Sequence, residues 1–565
     1  VFHARAETGQ TAKVNFFVGG NGDGMPYSDS GRKETGYVTL AGDWRRFEID
    51  LAGINLSYIS GGFGWVTNYF NNLNKSEIIF YLDDIYYEFA APRPDPVFLA
   101  SYEAVPLDQD GYFINSVAYS YDVAMTVLAL SYAGRHEQAC RVADGLLFAL
   151  YNDRRFSDVQ RGLRNGYGTG SPVSPPGWTS ASGKSPFARL AGFFDIASRQ
   201  WWEDYYSDSY STGNNAWAII ALLEVWRQSA NTDYLKAACT VADYIHTLKD
   251  AEKGGFTGGW EGFDDSQKKV TSVSTEHCID IYAAFSQLAR ELEENAFVPA
   301  GGRGAQFYRD DAAHARAFVM RMYDDAQGLF YTGTKTDGSI NRDFYPLDVN
   351  TWGLMAFHDD PALDAQRILA TIESRFAVGE GLYDFNDDRD GAWFEGSSQA
   401  IISQKVTGNT AKYEAHLAIV SAAAEADGSI TAASRDGLTT GIYLEGVDSD
   451  GKPRGNEWLY NRRIHTGATA WLALAQLGRN PLDPAGRSES GIVRPAATHA
   501  KAFVRDGRLY ISGLASKTPV RVYTVTGRET ASLKSVSATE TFICNLPGRG
   551  VYIVTAGTGN WKVIY

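Results

Sequence analysis

Between residues 115 and 478 the chain carries eleven stretches of helical period, and that count constrains the fold more than any other feature. They run near 115–133, 136–151, 213–229, 232–248, 276–293, 309–325, 347–358, 361–375, 393–407, 409–425 and 464–478. Within each, apolar residues recur at three- and four-residue spacing, as in a helix with a buried face. Short connections inside pairs alternate with long loops between pairs. Eleven or twelve helices arranged as hairpins suit an all-α (α/α) toroid of about six or seven hairpins, with inner and outer helices alternating around a closed ring. A solenoid of helical repeats predicts uniform loops, and these loops are unequal.

In such a ring the inner helices run parallel, so their first turns gather at one end around a central cleft. Every second helix is then expected to open with polar, aromatic and acidic residues. The chain follows this rule at Tyr119-Ser120-Tyr121-Asp122, Thr212-Gly213-Asn214-Asn215-Ala216-Trp217, Glu276-His277, Leu347-Asp348-Val349-Asn350-Thr351-Trp352, Trp393-Phe394-Glu395-Gly396 and Tyr460-Asn461-Arg462-Arg463-Ile464-His465. The partner helices open blandly, as at His136-Glu137-Gln138 and Thr232-Asp233-Tyr234. In Ser274–Tyr282, Glu276 and Asp280 stand at i,i+4 and His277 and Asp280 at i,i+3, so all three share one side of a helix that Ser274 or Thr275 is placed to cap.

Acids and aromatics around a cleft are the equipment of glycoside hydrolysis, in which one carboxylic acid protonates the leaving oxygen and a second carboxylate activates water or attacks the anomeric carbon. Glu395 is the leading acid, because Trp393 and Phe394 would exclude water and raise its pKa. Asp122, Asp348 and Glu276 are the candidates for the base. Tyr121, Asn214, Asn215, Trp260, Glu261, His277, Trp352, Trp393, Tyr460, Arg463 and His465 are expected to bind substrate. The rival chemistry is β-elimination from a uronate by a polysaccharide lyase, for which Asn214, Asn215, His277, Arg463, His465 and Tyr460 would serve. A non-catalytic surface protein that binds glycans is the third reading.

Around this region the period changes to two. Residues 1–90 alternate as a β-sandwich does, in Val14–Val18, Tyr37–Leu40, Arg46–Leu51 and Ile78–Ile85, and Trp65 is expected in its core rather than as a stacking platform. Residues 91–96 are a Pro-rich linker to the helical region 97–485, and strands return over 493–565. The chain opens at Val1 with neither Met nor leader, as a processed or partial product does, and no apolar run of about 18 residues occurs. Net charge of −15 argues against nucleic acid, and the four scattered cysteines form no CxxC. No catalytic metal or cofactor is expected, since no HExxH occurs; a structural calcium ion is conceivable in the acidic loop 445–451.

Three resemblances follow from these motifs. Gly42–Phe47 with Phe80–Glu88 resembles the jelly-roll carbohydrate-binding modules attached to bacterial glycan enzymes. The six helix starts over 97–485 resemble those of the (α/α)-barrel carbohydrate-active enzymes of Bacteroidota, which implies a hydrolase or lyase and, by analogy of fold, inversion of configuration. Val522–Arg528, Leu546–Val554 and the terminal Trp561–Tyr565 resemble the C-terminal sorting domain of cargo of the type IX secretion system, which implies the secretion machinery as a partner, export across the outer membrane, and release or anchoring at the cell surface.

Overall fold

The computed structural model describes residues 1–21, 29–51, 53–56, 59, 61–73, 75, 77–83, 85, 95–103, 109–153, 162–174, 178–181, 188–195, 198–264, 266–299, 302–443, 457–486 and the seven strands beyond residue 500. Most of the linker at 91–96, the calcium-loop candidate 445–451 and parts of the secretion-like motifs (525–528, 546–550 and 565) lie outside the described residues.

All eleven helical stretches form helices: α1 (Ser120–Tyr132), α2 (His136–Asn152), α3 (Thr212–Ser229), α4 (Thr232–His246), α5 (Thr275–Glu294), α6 (Ala305–Met322), α7 (Asp348–Phe357), α8 (Ala365–Phe376), α9 (Phe394–Val406), α10 (Thr410–Ala422) and α11 (Thr466–Leu477). Each odd-numbered helix packs on the next odd-numbered one, and α11 packs back on α1, which closes an inner ring of six. The even-numbered helices lie outside, each against the inner helix before it. Composition explains the division. Along α3 every residue from Ala216 to Val225 is buried, so no side is left for water. Along α4, Tyr234, Leu235, Ala238, Val241, Ala242 and Ile245 are buried while Lys236 and Thr240 face out, as an outer layer requires.

A belt of backbone hydrogen bonds levels the inner helices at their N-terminal ends. The amides of Ser120, Thr275, Leu347, Phe394 and Thr466 donate to the carbonyls of Asn165, Thr332, Phe385, Ala432 and Ser101 at 2.8–3.0 Å. For α3 a hydroxyl does the same, from Thr212 Oγ1 to the Thr257 carbonyl at 2.6 Å. A helix start leaves backbone N–H groups without partners in the helix, and each loop supplies one. The loop bonded to α1, α3, α5, α7 and α9 is in each case the one that follows that helix's own outer partner and leads to the next inner helix, and α11 closes the circle through Ser101 ahead of α1.

Six short strands precede the ring. β1 (Phe2–Ala6), β4 (Arg45–Phe47) and β6 (Phe80–Asp83) form one antiparallel sheet in the order β4-β1-β6; β2 (Ala12–Gly19), β3 (Arg32–Leu40) and β5 (Gly64–Val66) form another in the order β3-β2-β5. Phe2, Ala4, Ala6 and Phe47 from the first share one core with Ala12, Val14, Phe16 and Leu40 from the second. Trp65 does not join it: the indole is 49% exposed, with only its edge relation to Phe80 at 5.1 Å. It sits opposite buried Phe16 in the register, but on a short edge strand whose outer side nothing described covers. Residues Val1–Arg487 form one unit and Ser488–Tyr565 a second. In the second, seven strands from Lys501–Arg505 to Gly559–Ile564 make antiparallel sheets of three and four strands, with Leu509, Val520, Val522 and Val554 buried. Among the described residues no helix is long and apolar enough to cross a membrane.

One buried ion cluster ties the belt to its loops. Arg164, fully buried, donates from Nε to Asp153 at 2.7 Å and from Nη1 to Asp264 at 2.8 Å, and to the Asp208 carbonyl at 3.1 Å. The adjacent Asn165 accepts Ser211 N–H and donates its own N–H to the Ser209 carbonyl, so this guanidinium holds the loops that seat α1 and α3. Removing one partner of a buried ion cluster strands the others without compensation. Arg164→Met is therefore expected to cost about 3–5 kcal/mol of unfolding free energy, checked by urea denaturation against wild type.

Candidate active site

The belt leaves the first-turn side chains of the inner helices free to face the axis. Glu395 (α9), Asp122 (α1) and Asp348 (α7) are buried there, with Glu276 (α5) half-buried beside them. Beneath them Trp217, Trp352 and Trp471 close the ring, with centroids 5.2, 5.7 and 6.2 Å apart. That apolar floor keeps water away from the acids from below.

On one side Glu395 is held by several groups. The Tyr121 hydroxyl donates to Glu395 Oε1 at 2.5 Å and accepts from Trp471 Nε1 at 2.6 Å; Gln399 Nε2 donates to the same carboxylate at 3.3 Å. His465 lies between two acids, its Nε2 at 3.3 Å from Asp122 Oδ1 and its Nδ1 at 3.7 Å from Glu395 Oε2. The Ala468 amide donates to Nδ1 at 3.3 Å, so the neutral ring carries its proton on Nε2, facing Asp122. Tyr102 stacks on the imidazole at 4.3 Å and fixes its plane. Gly467 makes the approach possible: a Cβ there would stand 2.5 Å from Asp122 Oδ1, 2.9 Å from His465 Cε1 and 3.2 Å from Glu395 Oε2.

On the other side are Glu276, His277, Asp280 and Asp348. Ser274 Oγ accepts the His277 amide at 3.3 Å and caps α5, while the Thr275 hydroxyl donates to the Tyr331 carbonyl at 2.6 Å. Asp280 is fully buried one turn below Glu276. Gly213 on α3 makes room here as Gly467 does opposite, since its Cβ would meet His277 Nε2 at 2.9 Å and Asp280 Oδ2 at 3.2 Å. Asp348 Oδ1 accepts its neighbour's amide, Val349 N–H, at 2.7 Å.

Burial sets the protonation of both groups. It pushes Glu395 up to about 7, against the opposing pull of His465 and the Tyr121 hydrogen bond. It pushes Asp348 up to about 7 as well. Glu276 is raised by burial and then by the nearby Asp348 and Glu395 charges; Asp280 is raised by burial and then by Glu276 and Asp348. Burial lowers His277 to about 4, so it is neutral at pH 7. His465 goes the other way: burial lowers it, but Asp122 and Glu395 outweigh burial and raise it.

The structure thus gathers Glu395, Asp122, Asp348, Glu276, Tyr121, His277 and His465 at one end of the ring. Tyr460 joins them, since burial and then the charges of Glu395, Asp348 and Asp122 raise its phenol. Asn214 reaches the rim, where it donates to Asn165 Oδ1 at 2.9 Å. The other expected residues are placed as follows. Asn215 is turned into the wall, fully buried, where it accepts the Leu163 amide and donates to the Leu163 and Ser211 carbonyls. Trp352 belongs to the floor, and Trp393 is buried under Tyr460 and Phe385 at 5.7 and 4.9 Å. Trp260 packs against the ring core on a strand where Glu261 points outward opposite Lys268. Arg463 makes no described side-chain contact with the acids; its backbone carries the loop, the carbonyl accepting from Ala432 N–H at 2.8 Å.

Tyr102, Gln399, Gly467 and Trp471 were not among the expected site residues. A signal existed for the glycine: Gly213, Gly396 and Gly467 each fall in the first turn of an inner helix, where glycine is costly unless something must come close. A surface groove of ≈ 770 Å³ lined by Leu369, Glu373, Gln404 and Thr410 lies between α8 and α10 on the outside of the ring, away from these acids.

No family model and no curated protein matches this chain. Among solved structures it is similar to a cellobiose 2-epimerase from Bacillus thermoamylovorans (13% identity, 68% of this chain and 92% of that one, TM-score 0.44). It is also similar to a cellobiose 2-epimerase from Spirochaeta thermophila (12%, 69% and 90%, 0.42) and to a GH76 α-mannanase from Bacteroides thetaiotaomicron (14%, 67% and 90%, 0.40).

A carboxyl whose folded pKa is about 7 rather than 4.5 favours the fold while protonated and loses that advantage as pH rises from 4.5 through 7. The loss for Glu395 amounts to about 3 kcal/mol above pH 8. Glu395→Gln is therefore expected to gain thermal stability over wild type at pH 8 and little at pH 4, read by calorimetry at both. Asp122→Asn is expected to lower the His465 pKa, read by NMR titration of the imidazole.

Proposed function

We propose that the chain is a secreted glycan-degrading enzyme, most simply a glycoside hydrolase working through a carboxylate pair in the cleft of the ring. Glu395 donates the proton to the leaving oxygen. Tyr121 and His465 orient it, and burial holds it near 7, as it does Asp348, so near neutral pH a large fraction carries the proton it must give. In the Glu276–Asp348 pair on the opposite side, like charge opposes ionisation of both, so the first of the two to ionise supplies the base while the other keeps its proton. The sugar linkage and its water would lie between Glu395 and that pair. His465 follows Glu395 electrostatically: the carboxylate formed on proton donation is stabilised by an imidazole already paired with Asp122. The observation that carries this reading is the convergence of acids from four different inner helices on one apolar-floored hollow.

The lyase reading would need a cation against the substrate carboxylate. Among the described residues the acids have His465 as their basic partner, His277 is held neutral and Arg463 stands apart, so a neutral glycan fits better than a uronate. The flanking parts suit a secreted enzyme. Residues 1–90 are proposed as a carbohydrate-binding-like module with Trp44 and Trp65 displaying their rings, 91–96 as its linker, 97–485 as the catalytic domain and 493–565 as a sorting domain of the type IX kind, which would place the protein outside the outer membrane.

Against a panel of neutral and uronate-containing polysaccharides, new reducing ends without the ultraviolet absorption of an unsaturated uronate are the expected products. Glu395→Gln is expected to lower kcat by about three orders of magnitude with the fold intact. Tyr121→Phe removes a hydrogen bond that lowers the Glu395 pKa, so the alkaline limb of its kcat profile is expected to move to higher pH. A limb that stays in place, or moves down, would remove Glu395 from the role of acid.

A further inference from the structure

Outside the acid hollow, one strip of the surface is lined with aromatic rings that packing leaves uncovered. The hairpin formed by β7 (Gly192–Asp195) and β8 (Gln200–Glu203) places Phe193 directly opposite Trp202 and Phe194 opposite Trp201. Successive strand residues point to opposite faces, so Phe193 and Trp202 share one face and Phe194 belongs to the other. Phe193 is 37% and Trp202 41% exposed. The indole is not loose: Trp202 Nε1 donates to Ser198 Oγ at 3.2 Å, which fixes the ring at the surface.

This face continues towards the acids. Phe113 meets Phe193 edge-on at 6.5 Å and packs in a cluster with Tyr119, Trp458 and Tyr460. Trp458 in turn lies 5.5 Å from Tyr206, a half-exposed ring whose phenol senses Glu276 and Asp122. Aromatic rings therefore run from the surface hairpin towards the acids, with the exposed amide of Gln200 on the same face as Trp202. Such alternation of rigid rings and hydrogen-bonding groups matches a sugar chain, whose rings have apolar C–H faces and hydroxyl edges. A protein partner requires a broad patch of about 800 Å² per side, whereas the exposed rings paired on this face are Phe193 and Trp202.

We propose that the β7–β8 hairpin is a glycan-binding subsite in which Trp202 and Phe193 stack on sugar units of a polymer whose scissile linkage lies between Glu395 and the Glu276–Asp348 pair. The proposal rests on the hydrolase reading and deepens it: the substrate is a chain that extends beyond the hollow, and its length is sensed at the hairpin. Loss of one stacking ring then weakens the polymer and leaves a short oligosaccharide untouched.

The test compares full-length wild type with Trp202→Ala, Trp202→Phe and, as control on the opposite face, Phe194→Ala. Yeast mannan, laminarin and mixed-linkage β-glucan serve as polymers, each alongside its trisaccharide. On whichever polymer is cleaved, Trp202→Ala is expected to raise KM about tenfold with kcat retained and to lose retardation in a gel containing that polymer, with trisaccharide KM unchanged. Trp202→Phe is expected to recover most of the affinity, and Phe194→Ala to behave as wild type. An unchanged polymer KM in Trp202→Ala, or equal rises for polymer and trisaccharide, overturns the subsite while the hydrolase stands. A wild type that is dimeric by sedimentation and becomes monomeric in Trp202→Ala makes this face a self-interface and also overturns it. If wild type cleaves none of the three polymers nor any other glycan, the hydrolase reading falls and takes the subsite with it.

Discussion

The hydrogen-bonded belt at the N-terminal ends of the six inner helices is the constraint on which the rest depends. A helix start exposes amide donors that need partners, and here each inner helix finds one in a loop that leads to the neighbouring inner helix. Three helices repeat one device. Ser120, Thr275 and Thr466 each donate their amide to one carbonyl and their hydroxyl to the carbonyl before it: Asn165 and Arg164, Thr332 and Tyr331, Ser101 and Ala100. Because the backbone is satisfied by backbone, first-turn side chains are not consumed as caps. Glu395, Asp122, Asp348 and Glu276 are left to the hollow for that reason.

The same geometry accounts for the protonation of the acids. Acids that began on a solvated rim would ionise at ordinary pH. Here the ring sinks them onto Trp217, Trp352 and Trp471, and burial is the largest cause of the rise in Glu395, Asp348, Glu276 and Asp280 alike. The two sides then diverge through their neighbours. His465 and Tyr121 restrain the rise of Glu395, whereas Glu276 has only further acids beside it. Two carboxyl groups in similar dry surroundings are in this way given different neighbours and different proton affinities.

Much of this was legible in the chain. The period of 3.6 located all eleven helices, and the alternation of polar and bland helix starts identified which six were inner, because that alternation is a direct consequence of where side chains must point. What failed was finer than a turn. Asn214 and Asn215 are neighbours about 100° apart on α3; one reaches the rim and the other staples Leu163 to Ser211, and only the rotation of the helix in its packing decides between them. Ends shifted where caps decide: α6 begins after Gly304, and α8 waits for Asp364, whose side chain accepts the Arg367 amide. Trp65 was misplaced because alternation gives its face, the one it shares with buried Phe16, but not that its strand would end up at the edge of the sheet. The belt itself was invisible, since its main-chain bonds join residues from 38 (Leu347 to Phe385) to 365 (Thr466 to Ser101) positions apart through atoms that every residue possesses.

The glycines were the underused signal, and they connect packing to chemistry. Gly213 and Gly467 occupy equivalent first-turn positions on α3 and α11, and each leaves the gap into which a histidine and a carboxylate of the site fit: His277 with Asp280, and His465 with Asp122. Helix formation alone would select alanine at both. Their cost to the helix is repaid only if the imidazole and the acid must approach the neighbouring backbone, and on both sides of the hollow they do. His277 and Asp280 on one side, and His465 and Asp122 on the other, thus depend on a missing methyl group in the first turn of α3 and of α11. One of these histidines is raised by its acids and the other is left neutral by burial, so the hollow has a polarity of charge across it. A ring built from near-repeated hairpins acquires two chemically distinct sides in this way, through which neighbours each repeat admits and without any change in the fold.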